Sequence, residues 1–421
     1  RTVHTGLLEY KNVYRPARVI SYDKESGELV LHNYMDFDNL KDYVKISYEL
    51  TQDGLLIGKG KLAEVSVVPH SEGKTNLQIN VPENGKCYLK LIYHLKKEMP
   101  LLEEDYILGF DEIEVSQKDA KCQLAEKWVE KTVTDSELQV SEDDTQIHIK
   151  GREFAYTIDR RTALFTEMKF AGREYLNHPM ELNIWRAPTD NDMYIKSEWK
   201  KAHYDKAYTR AYTTEVVQGK HGVKITSHAS VVAETVQKIL DVTITWKIEA
   251  AGKIDADIAV TKDDEFPDLP RFGVRMFLDK KLSAVRYFGM GPQESYCDKH
   301  QAASHGLYQA NVDDLHEDYI RPQENGSHYD CEYVELNNSR YGIVVSAENA
   351  FSFNASYYTQ EELEKKTHNY ELIESDSVVF CVDYALNGIG SNSCGPVVLE
   401  QYRFDDVLFR FQFTLIPYVK G

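Results

Sequence analysis

The stretch Val-Thr-Ile-Thr-Trp-Lys-Ile-Glu-Ala-Ala-Gly-Lys-Ile-Asp-Ala-Asp-Ile-Ala-Val occupies residues 242–260. Apolar and polar side chains alternate on both sides of Ala251-Gly252, which is typical of two antiparallel strands joined by a tight turn. In such a hairpin the apolar side chains fall on one face, where a second sheet can bury them. The stretch therefore predicts a β-sandwich. The side chains on that face are Val242, Ile244, Trp246, Ile248, Ile254, Ala256, Ile258 and Val260.

The same alternation recurs along most of the chain. Ile46, Tyr48 and Leu50 alternate with polar residues and precede a turn at Gln52-Asp53-Gly54, and residues 87–95 alternate again. Helical patterns are few and short: Thr359-Gln-Glu-Glu362 is a capping box, and residues 197–207 are compatible with a helix. The sequence predicts an all-β protein with no helical layer.

Strand spacing and composition divide the chain. Residues 11–118 contain roughly seven short strands, the number of an immunoglobulin-like β-sandwich. The polar, acidic segment 136–145 indicates a linker, which we place over residues 119–145. Residues 146–421 are predicted to form a large antiparallel β super-sandwich.

Charge and cysteine usage limit the partners. The net charge of −19 argues against nucleic acid and membranes and favours a neutral substrate or a protein partner, although solubility alone also explains it. The 6 cysteines are scattered without a C-x-x-C pair, which favours free thiols in a reducing compartment. Neither a signal peptide nor an apolar run of ~20 residues is visible. We expect a cytoplasmic protein.

Four polar, non-repetitive segments interrupt the strand pattern, and each can be either a tight turn or part of a site. No H-E-x-x-H, phosphate-loop or G-x-S-x-G motif accompanies them in the sequence. The four segments are Trp185–Asp192, Phe288–Tyr296, Arg321–Gly326 and Asn387–Pro396.

In this order the segments resemble the last two domains of the β-galactosidases of glycoside hydrolase family 2. The family patterns R-A-P-x-D-N-D, G-x-G-P-x-E-x-Y, P-x-E-N-G and G-[IV]-G are similar to residues 186–192, 289–296, 322–326 and 388–390. Residues 1–10 resemble the exit from the family's catalytic barrel, so the resemblance covers essentially the whole chain.

The resemblance implies the carboxy-terminal part of a retaining β-galactosidase whose two catalytic glutamates lie in an upstream (β/α)₈ barrel. This chain would carry no catalytic residue, would complete the pocket for lactose-like β-galactosides and would be inactive alone. We expect it to be a piece cut from the longer enzyme rather than a natural small subunit. No cofactor is expected in this fragment, whereas the resemblance implies Mg²⁺ and Na⁺ for the full enzyme, which would be a homo-oligomer.

Two loops carry the site residues that the resemblance implies. Ser197 or Glu198 aligns with a position where a carboxylate approaches Mg²⁺ in the family, and Glu198 is the candidate because it carries the carboxylate; the alternative is a solvated glutamate in the first turn of a helix. Asn392, Ser393 and Cys394 lie where the family binds the aglycone sugar. A tryptophan platform there is replaced by Cys394, which offers less apolar area, unless Cys394 is a buried structural thiol. Asn392 either binds a sugar hydroxyl or makes a turn.

Aromatic and charged residues near the motifs have two interpretations. Trp185, Trp246 and Tyr296 are candidate sugar platforms, although its place in the hairpin favours core packing for Trp246. Arg186 with Asp190 and Asp192 favours a buried ion-pair network over direct chemistry.

Two other functions remain open. The chain could be an autonomous carbohydrate-binding or structural module, because sandwiches of this kind also occur in galactose-mutarotase-like sugar epimerases. Such a module would bind galactosides without the barrel. An extracellular adhesin is the third possibility, disfavoured by the absence of a visible signal and of repeats.

Overall fold

The computed structural model describes residues 3–125, 128, 138–390 and 393–420. Antiparallel strands make up about half of these residues, and the helices whose bounds are described have at most nine residues. The prediction of an all-β protein is confirmed, and the helices in the described part of the chain form no layer. No described helix combines the length and the apolar composition needed to cross a membrane. These helices are α1 (Thr5–Val13), α2 (Leu40–Tyr43), α3 (Ile195–Lys201) and α4 (Gln360–Lys365).

The chain forms two compact units, the first of which contains the residues up to Leu124 together with segments 290–293 and 300–308. Its strands form two antiparallel sheets, with the orders β1-β2-β5 and β4-β3-β6-β7. Both sheets contribute to one core, since Leu29 and Leu31 lie in the same apolar cluster as Leu89 and Leu91. The strands are β1 (Ala17–Tyr22), β2 (Glu28–Asn33), β3 (Val44–Gln52), β4 (Leu55–Lys61), β5 (Glu72–Asn76), β6 (Cys87–Leu95) and β7 (Ile107–Glu114).

This unit is the predicted immunoglobulin-like sandwich. The turn between β3 and β4 has Asp53 and Gly54 at φ +46° and +77°, the left-handed pair that a two-residue hairpin needs. Strand β6 buries alternate residues along residues 91–95, as its sequence predicted. Helix α1 crosses the boundary that we predicted between residues 10 and 11.

The second unit contains a five-stranded sheet, β12-β11-β10-β9-β8, and most of a twelve-stranded antiparallel sheet. The larger sheet follows the path β13-β18-β23-β22-β24-β17-β16-β15-β14, with β19, β20 and β21 off this path. The strands of the two sheets are β8 (Gln139–Glu142), β9 (Gln146–Lys150), β10 (Phe154–Asp159), β11 (Leu164–Phe170), β12 (Arg173–Glu174), β13 (Leu176–Asn183), β14 (Tyr208–Gln218), β15 (Gly222–Val232), β16 (Leu240–Glu249), β17 (Ile254–Lys262), β18 (Arg271–Asp279), β19 (Ala284–Gly291), β20 (Ser304–Asn311), β21 (Ser327–Asn337), β22 (Tyr341–Ser356), β23 (Ser377–Leu386) and β24 (Leu408–Val419).

The predicted hairpin forms β16 and β17 in the expected register. Ile244 lies opposite Ile258, and Trp246 lies opposite Ala256. All eight apolar side chains are buried, and the Trp246 indole N–H donates to the Ala163 carbonyl at 2.8 Å. Core packing of Trp246 is therefore confirmed, because every polar atom of the ring has a partner and the ring itself is out of water.

Smaller predictions had mixed outcomes. Strand β8 pairs with β9, so the linker predicted over 119–145 is wrong for residues 139–142, which belong to the five-stranded sheet. Part of 197–207 is helical, in α3 and in a 3₁₀ turn at Tyr204–Lys206. Thr359 caps α4 by accepting from the Glu362 N–H at 3.1 Å, but the Glu362 carboxylate accepts from Ile373 instead of reaching back.

Candidate functional site

The first and last of the four polar segments are joined through Arg186. Its guanidinium is fully buried and donates to both carboxylate oxygens of Asp192, at 3.1 and 2.7 Å. It also donates to the carbonyls of Asn387 and Gly388. Asn191 adds a bond from its side-chain amide to the Ile389 carbonyl at 2.7 Å. The Arg186 guanidinium therefore connects two loops that lie about two hundred residues apart in sequence.

This arrangement confirms a buried ion-pair network for Arg186 and Asp192. The same prediction is wrong for Asp190. That residue is exposed, and its backbone N–H donates to the Gln323 side chain. The Arg186 guanidinium carbon also lies 5.2 Å from the centre of the Trp199 ring, a cation–π contact.

Glu324, in the third segment, joins the network to the core of the large sheet. One of its oxygens accepts from the Ala187 N–H at 3.2 Å, and the other accepts from Arg271 at 2.7 Å. Arg271 pairs in turn with Asp383, and both side chains are fully buried. Burial raises the pKa of the Asp383 carboxyl against the opposing effect of Arg271. These carboxylates act as fixed partners of arginine.

Glu294, in the second segment, holds the third segment in place. It is 3% exposed and accepts from the Gly326 N–H at 2.8 Å, from Lys299 and from the Tyr319 hydroxyl. Burial alone would raise the pKa of Glu294, but Lys299 and these hydrogen bonds outweigh it, so the pKa lies below its ordinary value. Glu294 is therefore an ionised structural hub.

The loop that begins at Asn387 is anchored by Asp298. Its carboxylate accepts from the N–H groups of Ile389 and Gly390, at 3.0 and 2.8 Å. A Cβ added at Gly388 would lie 2.7 Å from an Asp298 oxygen, so only glycine allows this close approach. The anchored segment leads directly into the predicted aglycone loop.

The predicted sugar-binding residues follow that anchor. Ser393 is half-buried, and Cys394 is exposed, so the alternative of a buried structural thiol is wrong. Asn392 lies outside the described residues. Trp185 and Tyr296 are 3% and 2% exposed, and their interpretation as surface sugar platforms is wrong because their rings are inside the sheet packing.

A cleft of about 470 Å³ lies beside the Arg186–Asp192 pair. We call it the α3 cleft, because Tyr194, Ser197 and Glu198 form one wall. Opposite walls come from Asp268, Asn387 and Arg403. Among the described residues, Ser393 and Cys394 do not line it, so the structure does not bring Glu198 and Cys394 into one pocket.

Glu198 does not fit a metal site formed by this chain alone. Its carboxylate pairs with Lys201 at 2.8 Å, and its side chain is 55% exposed. Within the described residues no three His, Cys, Asp or Glu side chains cluster closely enough to hold a metal ion. Glu198 is therefore a solvated glutamate in the first turn of α3, as the alternative interpretation predicted.

The network can hold the loops of the four segments in place, but its carboxylates do not form a free catalytic pair. Retaining glycosidases need two carboxyl groups about 5 Å apart, one of them a free nucleophile. Here Asp192, Glu294, Glu324 and Asp383 are each occupied by an arginine or a lysine. The geometry therefore suits the support of loops.

Sequence reasoning missed three members of the network. Asp383 is a charged residue inside an otherwise largely apolar strand, and a charge in such a run is a signal of a buried pair. Arg271 begins β18, which also carries Arg275 and Asp279, so its signal was weaker. Asp298 gave no such signal, because a single acidic residue after a turn motif is ordinary.

Residues 150–415 match the family model described as beta galactosidase small chain. The chain belongs to this family. All four polar segments lie within the matched range, and residues 29–116 match beta-galactosidase domain 4. The resemblance read from the four segments is confirmed.

Curated relatives of this small-chain family member are called beta-galactosidase. The one from Actinobacillus pleuropneumoniae is 43% identical over 99% of this chain and 40% of its own length. The one from Staphylococcus xylosus is 31% identical over 99% of this chain and 41% of its own length. The chain thus spans about two fifths of the curated relatives that it matches.

Among solved structures, a galactose 1-epimerase from Lactobacillus acidophilus is aligned over 69% of this chain and 100% of its own, with 8% identity and a TM-score of 0.37. At these values the likeness supports no conclusion about the site.

Proposed function

We propose that this chain is the carboxy-terminal part of a cytoplasmic β-galactosidase that hydrolyses terminal β-D-galactosides such as lactose with retention of configuration. The catalytic glutamates would lie in an upstream barrel, and the chain alone would be inactive. The observation that carries this proposal is the joining of all four family segments by buried ion pairs and hydrogen bonds around Arg186, Glu324 and Glu294. Relatives with the beta-galactosidase name match almost the whole chain.

The role that we assign to the chain is positioning. The Asn387–Gly390 segment is held by Arg186, Asn191 and Asp298, so the loop that follows starts from a rigid base. An enzyme gains from such a base because a substrate displaced by about 1 Å can lose about 100-fold in rate. We propose that Asn392, Ser393 and Cys394 contact the substrate from this loop.

Metal ions and assembly complete the proposal. We propose Mg²⁺ and Na⁺ for the full enzyme, with Glu198 as at most one ligand, since its surroundings in this chain do not complete a site. The partner of the chain is the upstream barrel, and the full enzyme would be a homo-oligomer. The net charge of −19 supports a neutral substrate and disfavours nucleic acid and membranes as partners.

The test is hydrolysis of a chromogenic β-galactoside by the purified chain, alone and mixed with a separately expressed upstream part. We expect no turnover by the chain and turnover by the mixture above that of the upstream part. Turnover by the chain alone would overturn the assignment of catalysis to the barrel. Saturable galactoside binding with no gain on mixing would favour an autonomous binding module.

A further inference from the structure

Two tight turns follow each other from the last residue of the second polar segment. In the first turn, Tyr296 and Lys299 exchange two backbone hydrogen bonds, of 2.8 and 3.0 Å. In the second turn, the Ala303 N–H donates to the His300 carbonyl at 3.1 Å. We call residues 296–303 the double turn. Because no residue separates the two turns and each is closed by its own backbone bonds, we expect them to move together.

The tip of the first turn carries Asp298, the anchor of the loop that begins at Asn387. One carboxylate oxygen of Asp298 accepts from the Ile389 N–H at 3.0 Å, and the other accepts from the Gly390 N–H at 2.8 Å. We call these two donors the anchored N–H groups. A shift of the first turn would displace the acceptors of both bonds, which hold the residues that lead into the predicted aglycone loop.

The tip of the second turn is held by α1. The Glu9 carboxylate accepts there from two consecutive backbone N–H groups, that of Gln301 at 2.8 Å and that of Ala302 at 2.7 Å. Asn12, in the next turn of the helix, donates to the Gln301 carbonyl at 2.8 Å. Each oxygen of Glu9 therefore binds one N–H group of the double turn, and hydrogen bonds to a carboxylate are among the stronger ones in proteins.

Helix α1 gives these contacts a firm base. Asn12 is 5% exposed, and its side-chain amide donates to the Phe110 carbonyl at 3.2 Å and accepts from the Phe110 N–H at 2.7 Å. Arg15, just after the helix, pairs with Asp111 at 2.6 Å. Phe110 and Asp111 both belong to β7. The helix that carries Glu9 is thus bonded both to β7 and to the double turn.

Through the double turn, the contacts of α1 lead to the anchor of the predicted aglycone loop. The inference drawn from this path rests on the proposed function, in which the catalytic barrel precedes α1. We propose that Glu9 is a positioning residue of the enzyme, which holds the double turn so that Asp298 keeps the aglycone loop in place for the substrate. Glu9 touches neither the substrate nor the reacting atoms and acts through Asp298.

Amide hydrogen exchange of the chain, followed by NMR well below the melting temperature, tests this path without a substrate. In Glu9→Ala the anchored N–H groups should exchange about tenfold faster, because the double turn loses two charged hydrogen bonds and opens locally more often. Glu9→Gln keeps one acceptor oxygen and should give an intermediate rate. This second variant also covers the case in which Glu9→Ala folds poorly.

Asp143→Ala is the matched control. Like Glu9, Asp143 accepts from two backbone N–H groups, those of Thr145 at 2.7 Å and Gln146 at 2.9 Å, but it lies between β8 and β9. This substitution should speed exchange at Thr145 and leave the anchored N–H groups unchanged. Glu9→Ala should do the reverse.

The full enzyme supplies a second readout, which a merely structural role of Glu9 would not change. Glu9→Ala should raise KM for lactose about fivefold and change kcat less, because the aglycone loop is proposed to contact the substrate rather than the reacting bond. Asp143→Ala should leave both constants unchanged. A structural role alone would lower the melting temperature without separating KM from kcat.

Three results would overturn the proposal. The first is an unchanged exchange rate of the anchored N–H groups in Glu9→Ala. The second is equal acceleration at Thr145 in that variant, which would indicate general loosening of the fold. The third is an unchanged KM for lactose in an active enzyme despite faster exchange. A full enzyme without substitutions that hydrolyses no galactoside would refute the proposed function instead, and the exchange rates would still decide whether Glu9 holds Asp298 in place.

Discussion

Asp192 and Glu198 lie six positions apart, and each pairs with a nearby cation, yet their surroundings differ. Asp192 is 4% exposed and accepts from Arg186 twice and from the Thr189 N–H at 2.8 Å. The Glu198 side chain is 55% exposed, and its carboxylate accepts from Lys201 at 2.8 Å. When one partner of a buried ion pair is removed, the other charge stays buried without compensation and the protein is destabilised. When one partner of an exposed pair is removed, water solvates the remaining charge and little stability is lost. Burial, more than residue type, decides what each contributes.

The largest effect is expected from Asp192→Ala, which leaves the Arg186 guanidinium buried without its carboxylate. We expect a loss of about 3–5 kcal/mol in the free energy of unfolding, measured by urea denaturation of the chain. The matched control is Asp190→Ala, two positions away and exposed, with an expected change within about 0.5 kcal/mol. Equal effects of the two substitutions would remove the distinction between buried and exposed acids.

Glu294→Gln should produce the next largest effect, and it should depend on pH. Neutralising a buried carboxylate that accepts charged hydrogen bonds costs about 1.5–3 kcal/mol at neutral pH. The pKa of Glu294 lies below its ordinary value of 4.5, so its stabilisation is present above that pH and is lost as pH falls through the folded-state pKa.

The difference in the free energy of unfolding between the unaltered chain and Glu294→Gln should therefore become smaller at acidic pH. Denaturation curves of both proteins between neutral and acidic pH give this difference directly. An advantage that stays constant down to the most acid conditions would show that Glu294 is not the group that titrates.

A smaller effect, on binding, is expected from Cys394→Trp in the full enzyme. Cys394 is exposed, so the new indole can meet a sugar face and should strengthen binding by about 1 kcal/mol, roughly fivefold in KM for lactose. Cys394→Ser is the control and should leave KM nearly unchanged. An unchanged KM in the tryptophan variant would argue against contact between this loop and the aglycone.

Glu198→Gln should produce the smallest effect. Loss of an exposed i,i+3 pair with Lys201 should change the stability of the chain by less than about 0.5 kcal/mol. Titration with Mg²⁺ should then give the same melting curve for both proteins. Stabilisation by Mg²⁺ that disappears in the variant would instead make Glu198 a ligand.

The fold was largely predictable, while the site was predictable only in its parts. Alternation in 242–260 predicted β16 and β17 in register, since side chains two residues apart always share a face of a strand. The prediction of a linker failed at β8, because a short acidic strand at a sheet edge has the composition of a loop. The four segments were recognisable from their residues, but their mutual contacts were not.

The strands and the tight turn at Asp53-Gly54 could be predicted because each depends on residues close together in the chain. The family could be predicted because each of its four segments is recognisable from its own residues. Which charges meet could not be predicted, since it depends on the tertiary structure. Arg186 donates to a carbonyl 201 residues away, and Arg271 pairs with a carboxylate 112 residues away. The packing of whole sheets brings such partners together. Each buried charge then needs an opposite charge beside it, because a buried unpaired charge would strongly destabilise the fold. The same packing buried Asp192 in the network and left Glu198 in water.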